Sequence, residues 1–309
     1  MEYRELGHTG LKVSALSYGA SSLGSVFREI NEKEGIKTVH TAMENGINYI
    51  DVSPYYGLTK AETVLGKALK NIPRDQYILS TKAGRINKHE FNFSKEHIFH
   101  SLEESLQRLG TDYVDILLLH DIEFGSYQQV IDEGIPALQQ LKEQGKIRYF
   151  GVSGLPLSIF DKVLNETDVD VILSYCHYSL NDTSLLTRIP FLKEKRVGVI
   201  NASPLSMGLL SSRELASWHP ASEEIKKVCQ QAAAYCESQG EDLAKLAIQY
   251  STQNQQIPTT LVSTASSSNI MKNINWTEQP INHELLAQVL QILQPIHNQT
   301  WSSGTEEWS

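Results

Sequence analysis

The chain has 309 residues, a net charge of −9 and 40% hydrophobic residues, a length that fits one large α/β domain or two smaller ones. The acidic balance argues against a nucleic-acid or anionic-membrane partner, which would need a basic surface. No apolar run approaches the ~20 residues that span a bilayer, the start Met1-Glu2-Tyr3-Arg4-Glu5 has no apolar signal core, and the three cysteines (Cys176, Cys229, Cys236) lack metal-ligand spacing, so the expectation is a soluble, metal-free protein of a reducing compartment, the cytoplasm.

The first residues predict a hairpin: Tyr3-Arg4-Glu5-Leu6, a turn Gly7-His8-Thr9-Gly10, then Leu11-Lys12-Val13. The strand-like run Ala15-Leu16-Ser17-Tyr18-Gly19 follows. Further runs are Ile47–Asp51, Gln76–Lys82, Val114–His120, Tyr149–Ser153, Val169–Leu173, Val197–Ile200 and Thr260–Val262. Helical patterns alternate with them. One has Ile98, Leu102, Leu106 and Leu109 at three- and four-residue spacing behind Ser94, and another has Ile135, Leu138 and Leu141 before a Gly145 stop. A last helix begins at Asn282, and a polar tail with Trp301 and Trp308 follows it. Eight strands, each followed by a helix and with no linker between them, predict a (β/α)8 TIM barrel as a single domain over 1–309. A doubly wound sheet is the alternative, but no GxGxxG follows the first strand.

In such a barrel the C-terminal strand ends share one face. Asp51, Lys82 and His120 each end a run, and Tyr56 lies in the loop after Asp51. Each has an ordinary reading as a capping, surface, loop or core residue. Together they form proton-transfer machinery. A tyrosine of ordinary pKa ~10 is a poor proton exchanger near neutrality, and a neighbouring lysine cation lowers that value. Asp51 would hold Lys82, His120 would orient a substrate oxygen, and a substrate carbonyl or alcohol would sit between Tyr56 and His120. A hydride must come from or go to a cofactor, since no side chain carries one.

The segment Asp51-Val52-Ser53-Pro54-Tyr55-Tyr56-Gly57 resembles the tyrosine-loop signature of the aldo-keto reductases. Ser80-Thr81-Lys82, Leu118-Leu119-His120, Gly151-Val152-Ser153 and Ser203-Pro204-Leu205-Ser206-Met207-Gly208 resemble further family segments, in order, from Leu6 to Asn273. The resemblance implies a nicotinamide dinucleotide. It assigns catalysis to Tyr56, Asp51, Lys82 and His120. It also implies cofactor contacts at Gly19, Ala20, Ser21, Asp51 and Ser153, and at Ser203, Pro204, Leu205, Met207 and Gly208 around the pyrophosphate. Contacts at Ser263, Ala265, Ser266, Asn269 and Asn273 would hold the adenosine end. NADP-using members carry a lysine and an arginine where this chain has Ser263 and Asn269, so the expected cofactor is NAD. The alternative is a cation from elsewhere, such as Lys272. In two places the chain departs from the family pattern: Gly154 stands where an asparagine is usual, and Tyr175 where a glutamine holds the nicotinamide amide.

Further stretches are similar to the aldose dehydrogenases of that family: His120-Asp121-Ile122-Glu123-Phe124-Gly125, Gly154-Leu155-Pro156-Leu157, Ile172–Tyr178 and Trp218-His219-Pro220-Ala221-Ser222. The implied reaction is oxidation of an aldose at its anomeric C1 hydroxyl, with L-galactose and its 1,4-lactone the expected pair and Tyr56 as the base. Sugar-side residues would be Tyr56, His120, Asp121, Glu123, Phe27, Phe124 and Trp218. An NADPH-dependent carbonyl reductase and a non-catalytic cofactor-binding subunit are the competing readings. Oligomeric state is not legible.

Overall fold

Tyr3–Glu5 (β1) and Lys12–Ser14 (β2) pair antiparallel, with Arg4 opposite Val13. The remaining strands are Leu16–Gly19 (β3), Tyr49–Asp51 (β4), Ile78–Ala83 (β5), Val114–Leu119 (β6), Ile147–Gly154 (β7), Val171–Tyr175 (β8), Gly198–Ala202 (β9) and Thr259–Ser263 (β10). They are parallel and lie side by side in chain order. β10 pairs with both β9 and β3, which closes the barrel. This computed structural model describes residues 1–26 and 28–308. Phe27, expected on the sugar side, lies outside them.

Every barrel strand is covered on both faces, so the strands read as nearly continuous apolar runs. All six residues of β6, Val-Asp-Ile-Leu-Leu-Leu, are buried. Alternate residues point inward and outward. Ile116 and Leu118 join Tyr49, Val171, Leu173, Ile200 and Leu261 inside the barrel. Leu117 and Leu119 instead meet the helical layer, where Ile98, Leu102 and Leu138 pack. Each fully buried leucine or isoleucine is worth about 1.5–3 kcal/mol. The spacing of the helices comes out as read. Ser94 accepts the His97 N–H at the start of Lys95–Leu109, and Asn282 accepts the Leu285 N–H at the start of His283–Leu293.

The hairpin seals the N-terminal end of the barrel. Leu6, Leu11 and Val13 pack under the interior cluster. Arg4 donates to the carbonyls of Thr252, Asn254 and Ile257. The turn comes so close that a Cβ on Gly7, whose φ is +57°, would lie 2.4 Å from the Gly198 nitrogen. Only glycine meets both conditions.

The chain's last segment runs to the other end. His283–Leu293 packs Leu285, Val289 and Leu293 on Ile225, Cys229, Ala232 and Cys236. The tail then crosses to the loop after β6. Thr305 donates to the Glu123 carbonyl, and buried Trp308 donates Nε1–H to the Gly125 carbonyl at 2.8 Å against the Tyr127 ring. The tail expected to be merely polar is therefore anchored by an indole. Among the described residues, no helix is long and apolar enough to cross a membrane.

Candidate active site

β4 and β5 are neighbours in parallel register, with Asp51 opposite Ser80. That register sets the Lys82 ammonium against the Asp51 carboxylate. Lys82 Nζ donates to Asp51 Oδ2 at 2.5 Å, to the Val52 carbonyl at 3.0 Å and to Tyr56 Oη at 3.3 Å. An ammonium has three donors, and all three are engaged. Asp51 is fixed from behind, because Ser80 Oγ donates to its Oδ1 at 2.6 Å. Burial opposes the Lys82 charge, but Asp51 and Tyr56 outweigh it and raise its pKa, so it stays a cation. Tyr56 corrects the expectation from sequence. Burial pushes its pKa above the ordinary value, and the Lys82 cation only partly offsets this.

His120 follows β6 and turns one ring edge to Ser53 and the other into the site. Its Nδ1 lies 2.9 Å from Ser53 Oγ, which itself accepts the Tyr55 N–H at 3.1 Å. A neutral imidazole that accepts the Ser53 hydroxyl proton at Nδ1 carries its own proton on Nε2. The ring stands edge-on to Tyr56 with centroids 5.6 Å apart. Burial first, then the Lys82 and Arg85 charges, hold its pKa well below the usual value, so the imidazole is neutral. A phenol and a neutral N–H donor thus face one space.

Arg85 borders that space, and the sequence reading missed it. It pairs with Asp121 and donates to Tyr55 Oη at 3.0 Å. Its guanidinium lies 3.8 Å from the Tyr55 ring centre and also faces Phe91 and Phe124. Asp121, in a left-handed conformation with φ +50°, lies 3.7 Å from His120 Nε2. Phe124 is partly exposed and stacks on Phe91 at 5.3 Å. Trp218 is half exposed and parallel to His219, whose Nε2 lies 3.2 Å from the Ser206 carbonyl. Phe124 and Trp218 therefore stand on loops at the C-terminal end of the barrel, as read. Ser53, Ser80 and Arg85 were overlooked, although the first two lie inside the quoted motifs.

Glu123 is a correction. It is fully buried rather than placed on a sugar-facing wall. Its Oε1 accepts the Leu155 N–H and the Ser303 hydroxyl from the tail, both at 3.0 Å. Burial, then Asp121, pushes its pKa up to about 8. The departure at Gly154 has its cause here, since a Cβ at 154 would lie 2.3 Å from Glu123 Oε2. Cys176 and His177 follow the same end of the barrel. They lie just beyond β8 rather than on it, with Cys176 left-handed at φ +63°. His177 meets Asp182 and Ser184.

The expected cofactor residues gather around the same end. Ser153 is buried beside Asp121, and Tyr175 is half-buried at the tip of β8. Ser203, Ser206 and Met207 are left-handed, at φ +58°, +47° and +58°, which folds the loop after β9 into a tight polar turn. After β10, Ser263 Oγ accepts from Ser21 Oγ and the Ser22 N–H and donates to Ser22 Oγ. Ala265, Ser266, Asn269 and Asn273 follow, all half-buried. These surfaces offer hydroxyls, amides and backbone groups but no charged side chain from 203 to 208 or from 263 to 269. Such groups can pair with the hydroxyls and phosphate oxygens of a dinucleotide. Lys272 Nζ is turned to Asp242, 3.9 Å away, and over the Trp276 ring.

Residues 15–294 match the family model described as the aldo/keto reductase family. This chain is an aldo/keto reductase. Over 99% of both chains, this aldo/keto reductase is 50% identical to L-galactose dehydrogenase of Arabidopsis thaliana. It is 38% identical to D-arabinose 1-dehydrogenase of Saccharomyces cerevisiae, over 77% of this chain and 75% of that one. Among solved structures, the holo form of aldo-keto reductase AKR11C1 from Bacillus halodurans superposes with a TM-score of 0.79, at 28% identity and full coverage of both chains. As a member of this family the protein is an oxidoreductase that uses a nicotinamide cofactor.

Proposed function

We propose that this oxidoreductase is an NAD-dependent aldose 1-dehydrogenase of the cytoplasm, working as a single barrel domain over 1–309. It oxidises the anomeric C1 hydroxyl of a sugar, with L-galactose converted to L-galactono-1,4-lactone. One observation carries the chemistry. The three Lys82 donors end on Asp51, the Val52 carbonyl and Tyr56 Oη, while neutral His120 holds Nε2 toward the same space. The nearness in sequence to the Arabidopsis sugar dehydrogenase supports the substrate.

Held by the loop Ser203–Gly208 and the segment Ser263–Asn273, NAD would supply the hydride acceptor. The protein's own work is on the proton. The C1 hydroxyl lies between Tyr56 Oη and His120 Nε2. The histidine N–H orients the oxygen, and Tyr56 takes its proton. Tyr56 does so as the phenolate, whose negative charge Lys82, held by Asp51, stabilises, and the proton taken leaves it a neutral phenol. A furanose that loses a hydride from C1 and the proton of its C1 hydroxyl becomes the 1,4-lactone with its ring intact. Because burial raises the Tyr56 pKa, oxidation should quicken as pH rises toward that value. Arg85, Tyr55, Phe91 and Phe124, with Trp218 on the loop after β9, supply a charged and aromatic border for the remaining hydroxyls.

The test is initial rate on L-galactose, L-fucose and D-arabinose with NAD and with NADP, for the wild type and Tyr56→Phe. Sugar oxidation with NAD that collapses by about 10²-fold or more in the variant is expected. No turnover on the three sugars with either cofactor would overturn the reading.

A further inference from the structure

The helix Ser267–Thr277 begins beside the proposed adenosine site, and an anion from the protein already occupies its N-terminus. Glu34, on the helix Glu32–Glu44, reaches it from 233 residues away. Its Oε1 accepts the Ser267 N–H at 2.8 Å and the Ser267 hydroxyl at 2.7 Å. Ser266 Oγ caps the Asn269 N–H at 3.4 Å. The first N–H groups of a helix have no partner within it and attract anions. Here two of them are engaged, one by a carboxylate. The Ser267 hydroxyl and N–H hold the Glu34 carboxyl below its usual pKa, so it is charged at neutral pH. The nearest polar cluster on the cofactor side, Ser21, Ser22 and Ser263, is closed upon itself and uncharged.

We propose that Glu34 is a specificity-determining residue that excludes a 2′-phosphate from the adenosine ribose. The inference rests on the NAD reading above, with the ribose beside Ser263 and Asn269. A 2′-hydroxyl is neutral and tolerates the carboxylate. A 2′-phosphate dianion would meet a like charge and find the Ser267 and Asn269 N–H groups taken. Discrimination is thus achieved by repulsion as well as by the missing cations. This sharpens the expectation from sequence, which rested only on what Ser263 and Asn269 lack.

The experiment is binding of NAD and of NADP to the wild type, Glu34→Gln and Glu34→Lys, read by tryptophan fluorescence at low and high salt, with Tm alongside. Glutamine can still accept from Ser267 but carries no charge. The expected result is that Glu34→Gln keeps the NAD Kd within about twofold and tightens NADP about tenfold, and that Glu34→Lys tightens it further. In the wild type, the NADP-to-NAD ratio of Kd values falls with salt, because screening weakens a surface repulsion. That measurement needs no variant to fold. An NADP affinity unchanged in Glu34→Gln, in an enzyme that prefers NAD, overturns the role of Glu34. A ratio that does not fall with salt overturns it as well. A wild type that binds NADP as tightly as NAD overturns the cofactor reading itself, and the exclusion with it.

Discussion

Asp115 and Asp51 are both buried aspartates on barrel strands, and both answer to cations, but at opposite ends of the barrel. Near the start of β6, Asp115 accepts from Arg74 at 2.6 Å, Arg148 at 2.8 Å and the Leu79 N–H at 2.9 Å. The charge ends in structure. At the end of β4, Asp51 holds Lys82, and Lys82 passes its last donor to Tyr56 Oη. There the charge ends on the atom proposed to take the substrate's proton. The backbone follows the same division. Among the described residues, eight of the ten non-glycine left-handed ones (Ser25, Leu58, Thr59, Asp121, Cys176, Ser203, Ser206 and Met207) lie in loops that follow barrel strands; the other two are Arg196 and Asn298. Strained conformations gather where loops must shape a site. One end of a shared scaffold is optimised to hold, and the other to react.

Four substitutions bear on that contrast, from the largest expected effect to the smallest. Tyr56→Phe should lower kcat/KM by about 10²–10⁴-fold with Tm unchanged; a matching loss of Tm would erase the distinction between the ends. Asp115→Ala should do the reverse. It strands two arginines, Arg148 being half exposed, and should cost about 3 kcal/mol in denaturant unfolding, with kcat/KM of the folded enzyme preserved. Gly7→Ala forces a Cβ onto the Gly198 backbone and should cost about 2 kcal/mol, again without kinetic effect.

Glu123→Gln tests the tail. Folding raises the Glu123 pKa from 4.5 to about 8, so the folded state binds the extra proton. That contribution is complete below the unfolded value, declines as pH rises from there toward the folded value, and is gone above it. The variant should therefore flatten the fall in Tm between pH 6 and pH 9 by about 2 °C. An unchanged pH slope would mean that Glu123 does not titrate under the tail.

Much of this was legible in the sequence, for a physical reason. All eight barrel strands and the hairpin announced themselves as short apolar runs between turn signals. Asp51, Lys82 and His120 stood out because they end such runs with ionisable groups. What escaped was carried by contacts without a period. Arg85 meets Asp121 across 36 residues, Glu123 meets Ser303 across 180, and Glu34 meets Ser267 across 233. Nothing local in the sequence announces such a pair. The direction of the Tyr56 pKa shift was misjudged for a related reason: its neighbours could be listed from the motif, but the depth of its burial could not.

The pairing of β10 with β3 joins residues 259–263 to residues 16–19. A nascent chain therefore exposes β3 and β9 as open edges until almost all of it has left the ribosome. Each edge is a row of unmet N–H and C=O groups that could template aggregation. Closure must also wait for contacts spanning nearly the whole chain, which favours slow folding through incomplete intermediates. Synthesis of this protein should depend on protection of those edges by chaperones, and a chain truncated before Thr259 should aggregate rather than fold.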